Sequence, residues 1–277
     1  MSWMDAPWAG LIEVAARLDL WPILRSLGSW EELPGVSAER WRAAGLGPTV
    51  VARLLTRRWE GTPVHPGLPH WPASLEDLPR GPVGFFAEGN LALLRAPMVA
   101  VIGSRACTSY GRAQARRLAH AVATAGGVVV SGMAAGIDAE AHLAAEGRTI
   151  AVLGQGLAAP MAPWQQRMRA ELLKRGGLIV SEFPPLQNAE RWTFPMRNRL
   201  IAALAGVVVV VEAGEQSGTR ITADHALRFG RELLAVPGPL EAPASVGCLQ
   251  LLAEGATLVR GPSTILQAAG LLTAAAA

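Results

Sequence analysis

The chain has 277 residues, 51% of them hydrophobic and 17% charged, with 25 basic and 22 acidic side chains for a formal net charge of +3. That length and apolar content supply a sizeable core and exclude a disordered or low-complexity chain. Two cysteines, Cys107 and Cys248, with no CxxC or Cys/His cluster, argue against a disulfide scaffold or a zinc site and suit a reducing, cytoplasmic location.

The first apolar segment is interrupted by Glu13, Arg17 and Asp19 and has no basic stretch ahead of it, so it reads as an amphipathic helix and not as a signal peptide. No charge-free apolar run approaches a membrane span, and no membrane partner is expected. Residues 1–60 balance 7 basic against 7 acidic side chains. They predict a small helical domain, SAM-like or helix-hairpin-like. "SWEEL" opens on a capping-box-like Ser29, and a Pro-Gly turn leads into a helix starting at Ser37. Such a module binds nucleic acid or contacts protein, and the zero net charge favours protein. Residues 61–82 are rich in Pro, Gly and Trp. They read as a linker that packs onto the next domain, because Trp71 and the spaced leucines need burial.

From residue 83 the pattern alternates strand and helix. Strands are predicted over 83–89, 98–103, 126–132, 149–154, 177–183, 206–213 and 232–238, most of them continuous apolar runs ending in glycine. Helices are predicted over 109–125, 135–146, 164–175, 197–205, 219–230 and 245–254. The fold class is α/β: an extended Rossmann-like, doubly wound, mostly parallel sheet over 61–260, with a weak helix and a tail over 261–277.

Ligands of such sheets sit at the carboxyl ends of the strands. Four loops there carry glycines, hydroxyls and helix N-termini, whose outward N–H groups favour anions. Gly103-Ser104-Arg105 is a glycine turn with a cation at its lip, or else simply ends in a surface arginine. From Gly89 to Ile137 there are 5 arginines and no acid, which is either a local positive field or a solvated helix face. Ser131-Gly132-Met133 lets a ligand approach the backbone. Asp138 and His142 form an acid/base or metal pair, or a helix cap with its local hydrogen-bond partner. Ser217-Gly218-Thr219 opens the helix after 206–213 as a second anion nest. In "FPMRNR", Phe194 offers a stacking face, Arg197 and Arg199 offer charge, and Asn198 holds the turn. The alternative packs Phe194 in the core and pairs one arginine with Glu182 or Glu212. No GxGxxG or P-loop pattern is present, and no catalytic, metal or cofactor set is predicted.

In order along the chain, "GSR…YG" (103–111), "SGMAAGIDAEAH" (131–142), "TIAVLGQGL" (149–157), "SEFPP" (181–185), "FPMRNRLIA" (194–202), "SGTRITADHAL" (217–227), "GRELLAVPG" (230–238) and "GATLV" (255–259) resemble the DNA-processing protein A (Smf) family. The resemblance covers about residues 70–260. It implies a non-enzymatic single-stranded DNA binder of natural transformation, delivery of RecA recombinase onto strands coated by single-strand binding protein, and a homodimer through the Rossmann-like domain. It carries the DNA pocket over to Arg105, Ser131, Gly132, Phe194, Arg197 and Arg199, with Arg191 as a nearby basic residue. Where the family has "YP..N", this chain reads "APWQQ", with Ala162 and Gln166 at the tyrosine and asparagine positions. Leu249 replaces another usual asparagine. Residues 261–277 leave no room for the winged-helix domain that many members carry. Two other functions compete: a nucleotide-processing enzyme related to nucleoside monophosphate hydrolases, whose paired-glycine loop "EAGEQSGTR" lacks, and a scaffold whose pocket has lost its ligand.

Overall fold

The structure, a computed structural model, describes residues 6–15, 20, 23, 24, 27, 36–54, 62–75, 78 and 81–272. The capping-box reading of Ser29 lies outside them. Among the described residues three α-helices come first: α1 (Ala6–Ala15), α2 (Ala38–Ala43) and α3 (Pro48–Leu54). The Ser37 hydroxyl caps α2 by accepting from the Arg40 N–H, as its position in the sequence suggests. Leu11, Val14, Leu20, Trp41 and Val51 form one apolar cluster there.

The strands are β1 (Thr62–Val64), β2 (Phe85–Gly89), β3 (Met98–Ile102), β4 (Val128–Ser131), β5 (Thr149–Val152), β6 (Leu178–Ser181), β7 (Val207–Val210), β8 (Glu232–Ala235) and β9 (Thr257–Leu258). They form one sheet in the order β1-β2-β6-β5-β4-β3-β7-β8-β9. From β6 to β9 all neighbours are parallel, while β2 runs antiparallel to both β6 and β1. The seven predicted strands are all present. β1 adds an edge strand inside the stretch that reads as a linker, and β9 closes the other edge. Trp71 stacks on Phe85, as its size requires.

The remaining helices are α4 (Ser109–Thr124), α5 (Ile137–Ala144), α6 (Pro163–Lys174), α7 (Thr193–Leu204), α8 (Thr219–Arg228), α9 (Val246–Ala253) and α10 (Pro262–Ala268). Both faces of the sheet are covered. Val99 and Val101 of β3 pack with Leu118, Ala141 and Ile265 of α4, α5 and α10. Ala100 and Ile102 pack with Leu200, Ala223 and Leu251 of α7, α8 and α9. This two-sided burial is why the strands are continuous Val/Ile runs.

Chain direction across the sheet reverses at β3. From β3 the chain steps outward through β4, β5 and β6 on one side, then returns to place β7, β8 and β9 on the other. The crevice at the carboxyl ends of β3, β4 and β7 is therefore the topological switch point, where open α/β sheets bind ligands.

Candidate nucleic-acid interface

The turn after β3 is locked to β7 and α5. A Cβ on Gly103 would lie 2.7 Å from Ile137 Cγ1 and 2.9 Å from the Glu212 carbonyl oxygen, so the close approach requires glycine. Ser104 N–H donates to the Glu212 carbonyl (2.8 Å), and Ser104 Oγ accepts from Ala106 N–H (3.2 Å). The buried Glu212 carboxylate accepts from Thr108 N–H (2.9 Å) and from the Thr108 hydroxyl, which ties the start of α4 to the end of β7. Arg105 leaves this turn toward solvent with its guanidinium 5.3 Å from the centroid of the Phe194 ring, a cation–π contact.

The turn after β4 is held from below by α5. Asp138 accepts from Gly132 N–H (3.1 Å) and Ala134 N–H (3.4 Å). Between them, Met133 takes a positive φ of 52° and gives its N–H to His142 Nε2 (3.3 Å). The Thr149 hydroxyl donates to the Val129 carbonyl (2.9 Å), so its contact with His142 Nδ1 (2.6 Å) must be donated by the ring. His142 is therefore the neutral Nδ1–H tautomer, with both nitrogens used. Burial first, and the Arg197 charge second, push its pKa down to about 3. Burial raises the Asp138 carboxyl against the opposing pull of Arg197, the Ser131 hydroxyl and the two N–H groups.

Helix α7 begins at Thr193, four residues before the predicted start, so Phe194 and Arg197 both belong to it. The Thr193 hydroxyl donates to the Gly154 carbonyl (2.5 Å), fixing the helix against β5. Arg197 is buried. Its Nη1 donates to the Gly132 carbonyl and to the Val152 carbonyl (2.5 Å), and its Nε donates to Asn198 Oδ1 (3.1 Å). Burial pushes its pKa down to about 10, with Asp138 opposing and Arg105 adding to the shift, and it stays cationic at neutral pH. Arg199 turns the other way and pairs with Glu182 at 2.6 Å. Asn198 reaches the Gly218 carbonyl (3.4 Å), so it spans two loops as well as its own turn.

These elements enclose a cavity of about 330 Å³. Gly103, Ser104, Arg105, Phe194, Arg197, Asn198, Ser217, Gly218 and Thr219 line it, together with Asp138, Ile201 and Thr222. Nine of the predicted residues thus converge at the switch point. Gly132 and Met133 line an adjoining cavity that shares Arg105, Ala134, Phe194 and Arg197 as its wall.

Other expected residues lie outside the two cavities or are engaged elsewhere. Ser131 is wholly buried, donates to the Val101 carbonyl (2.7 Å) and lines neither cavity, so its hydroxyl holds the strand end and is not offered to a ligand. Arg191 is exposed and lines neither cavity. Arg199 answers to Glu182, as the pairing alternative allowed. The outward N–H groups expected of the loops are largely spent inside the protein: on Asp138 and His142 after β4, on Glu212 after β3, and on Ser217 Oγ, which accepts from Thr219 N–H (3.2 Å). Positive potential in the cavity therefore rests on Arg105 and Arg197. Asp138 and His142 do not cap and partner each other; each braces the same turn. Of the five arginines in the acid-free stretch, Arg112 and Arg116 pair with Glu140 on an exposed face of α4, which is the solvated-face reading. Sequence reasoning missed Trp164, within the "APWQQ" stretch, and Met161, just before it, which both line the second cavity. A lone tryptophan in the first turn of a helix beyond β5 was the available signal.

A doubly wound sheet with two guanidinium groups and an aromatic face at its switch point defines a Rossmann-like protein whose site suits an anionic, ring-bearing ligand. The chain belongs to the family described as DNA recombination-mediator protein A, whose model matches residues 64–270. It is 44% identical over 189 residues to "Protein Smf" of Escherichia coli, covering 67% of this chain and 50% of that protein. It is 39% identical over 199 residues to "DNA processing protein DprA" of Streptococcus pneumoniae, covering 71% and 70%. The chain spans about half the length of several of its curated relatives, such as 50% in Escherichia coli and 54% in Synechocystis. Among solved structures, that of DNA processing protein A from Streptococcus pneumoniae matches with a TM-score of 0.81 at 29% identity, over 96% of this chain and 98% of the other. The structure described for the single-stranded DNA binding mode of DNA processing protein A from Helicobacter pylori matches with a TM-score of 0.66 at 29% identity, over 71% and 91%.

Proposed function

We propose that this chain binds single-stranded DNA at the β3/β4/β7 crevice and acts without cutting it, as a mediator that passes strands to RecA recombinase. The observation that carries the reading is the Arg105–Phe194 stack beside the buried Arg197. It places a charge for a phosphate next to an aromatic face for a base, the combination that holds single strands with little regard to sequence. The likeness to a relative described as binding single-stranded DNA supports it. The titratable groups of the site support binding over chemistry: Asp138 is engaged by two backbone N–H groups and His142 is locked as a neutral brace. Strands coated by single-strand binding protein as the natural substrate, a homodimer through the Rossmann-like domain, and a cytoplasmic setting complete the proposal. Among the described residues no helix is long and apolar enough to cross a membrane.

The test is binding of an oligothymidine and of a duplex across a salt series. With two guanidinium groups on phosphates, log K should fall with log salt at a slope of about −1.4, and the single strand should bind tighter than the duplex. Arg105→Ala should reduce that slope by about 0.7 for every sequence alike. Salt-independent binding, or preference for the duplex, would overturn the reading.

A further inference from the structure

The second cavity has a volume of about 220 Å³, below the roughly 300–1,000 Å³ of sites that enclose a whole small molecule. It is sized for part of a ligand whose remainder lies elsewhere, and the place for that remainder is next door. The Arg105–Phe194 stack and Arg197 are the wall between the two cavities and line both. Its other walls are mostly apolar, with Met133, Leu153, Met161 and Trp164 beside the amides of Gln155 and Gln165. Trp164 is the second residue of α6, directly after Pro163, whose fixed φ pre-sets the first turn. It is 38% exposed, whereas Met133 and Leu153, which line the same cavity, are buried. A half-exposed indole on the rim of an apolar cavity that shares two cations with an anion site is arranged for a planar ring joined to a phosphate.

Resting on the single-strand reading above, we propose that Trp164 stacks on a nucleobase in this second cavity, so that the site holds two successive nucleotides of one strand. One base lies between the Phe194 ring and the Ser217–Thr219 loop, the next against Trp164, and the phosphate between them lies on the Arg105 guanidinium. Phe194, packed under Arg105, keeps that guanidinium at the divide.

The test compares wild-type protein, Trp164→Ala and Trp164→Phe for binding to thymidine monophosphate and to oligothymidines of increasing length at several salt concentrations. Trp164→Ala should weaken binding of the oligonucleotides by roughly 5- to 100-fold, the loss of one base–aromatic stack. Thymidine monophosphate binding should be unaffected, and Trp164→Phe should recover most of the affinity. The salt slope should not change, because a stacked base carries no charge; a mutation that disturbed Arg105 instead would lower it. Photo-crosslinking of a 5-iodouracil strand to the wild-type protein should label Trp164, which covers the case of a misfolded variant. If the wild type binds strands but Trp164→Ala binds them equally at every length, or if crosslinks fall only elsewhere, this second subsite is wrong and the single-strand reading stands. If the wild type binds no strand at all, both fall.

Discussion

Arg197 and its neighbours show how one residue can be both part of a ligand site and part of the fold. Its guanidinium faces both cavities, yet it also ties α7 to the ends of β4 and β5 and offsets the buried Asp138 carboxylate. His142 works on the same turn from the other side, and its protonation state gives a measurable handle. Its folded pKa is lowered to about 3 from an unfolded value near 6.5. Above pH 6.5 both states are neutral there and the group has no effect on the balance. Below it the unfolded chain takes up the proton first, so stability falls as pH drops from about 6.5 toward about 3. By pH 5 this amounts to about 2 kcal/mol, from about 1.5 pH units at about 1.4 kcal/mol each. Asp138, shifted the opposite way, gains stability on acidification, so the comparison must hold it constant. Urea unfolding at pH 7 and pH 5 should show wild type losing about 2 kcal/mol more than His142→Gln. Equal losses would mean that the ring titrates freely in the folded state. Arg105, Phe194 and Arg197 are legible in the sequence only together, since each alone also fits a surface, core or ion-pair role. The split between Arg197 and Arg199 is not, since it depends on Glu182 lying opposite Arg199 after folding.

At the scale of elements, the central strands are readable because two-sided burial leaves an unbroken Val/Ile run. β1 and β9 are not, because three and two residues at a sheet edge carry too little pattern. Helix α7 starts earlier than its sequence suggests because Pro195 mimics a break. It stands in the first turn, where its missing N–H has no helical acceptor to lose. How the loops brace one another is also invisible in the sequence, and Gly136 is the joint between two of them. Its φ is +83°, and a Cβ there would lie 2.3 Å from the Ser104 carbonyl oxygen and 2.6 Å from that of Arg105. Gly136→Ala should therefore push the Gly103–Arg105 turn away from α5. The expected cost is about 2–4 kcal/mol, from a strained backbone and a forced contact together. Oligothymidine affinity should fall with it, because Arg105 leaves its place over Phe194. Gly206→Ala is the control, away from both cavities and with open space around its Cβ. Thermal unfolding and binding of both variants check this; if Gly136→Ala matches Gly206→Ala in both, the two turns are not coupled.

At the scale of the whole molecule, the question is whether the N-terminal helices are a separate unit or part of the sheet's core. Helix α1 faces both ways. Leu11 and Val14 belong to the helical cluster, which also takes in Val83 from beyond the predicted boundary. Ile12 belongs to the cluster of Phe86, Met133, Leu153 and Ile179 on the sheet. The contact is close: a Cβ on Gly84 would lie 2.8 Å from Ile12 Cγ1. Because Ile12 shares a cluster with Met133, which lines the second cavity, the helical segment contributes to the floor on which the site is built. A composition-based boundary near residue 60 cannot reveal this, since burial of a single isoleucine leaves no mark in charge or proline content. If the segments form one cooperative unit, Ile12→Ala should destabilise the sheet itself by about 2–5 kcal/mol. The most protected amides of β5 and β6, such as those of Ala151 and Ile179, should then exchange with solvent roughly 30-fold faster or more. If the helices instead fold on their own, only their amides will speed up and those of β5 and β6 will keep their wild-type rates. That outcome would make the helical segment an appendage, free to serve a partner without disturbing the strand-binding crevice.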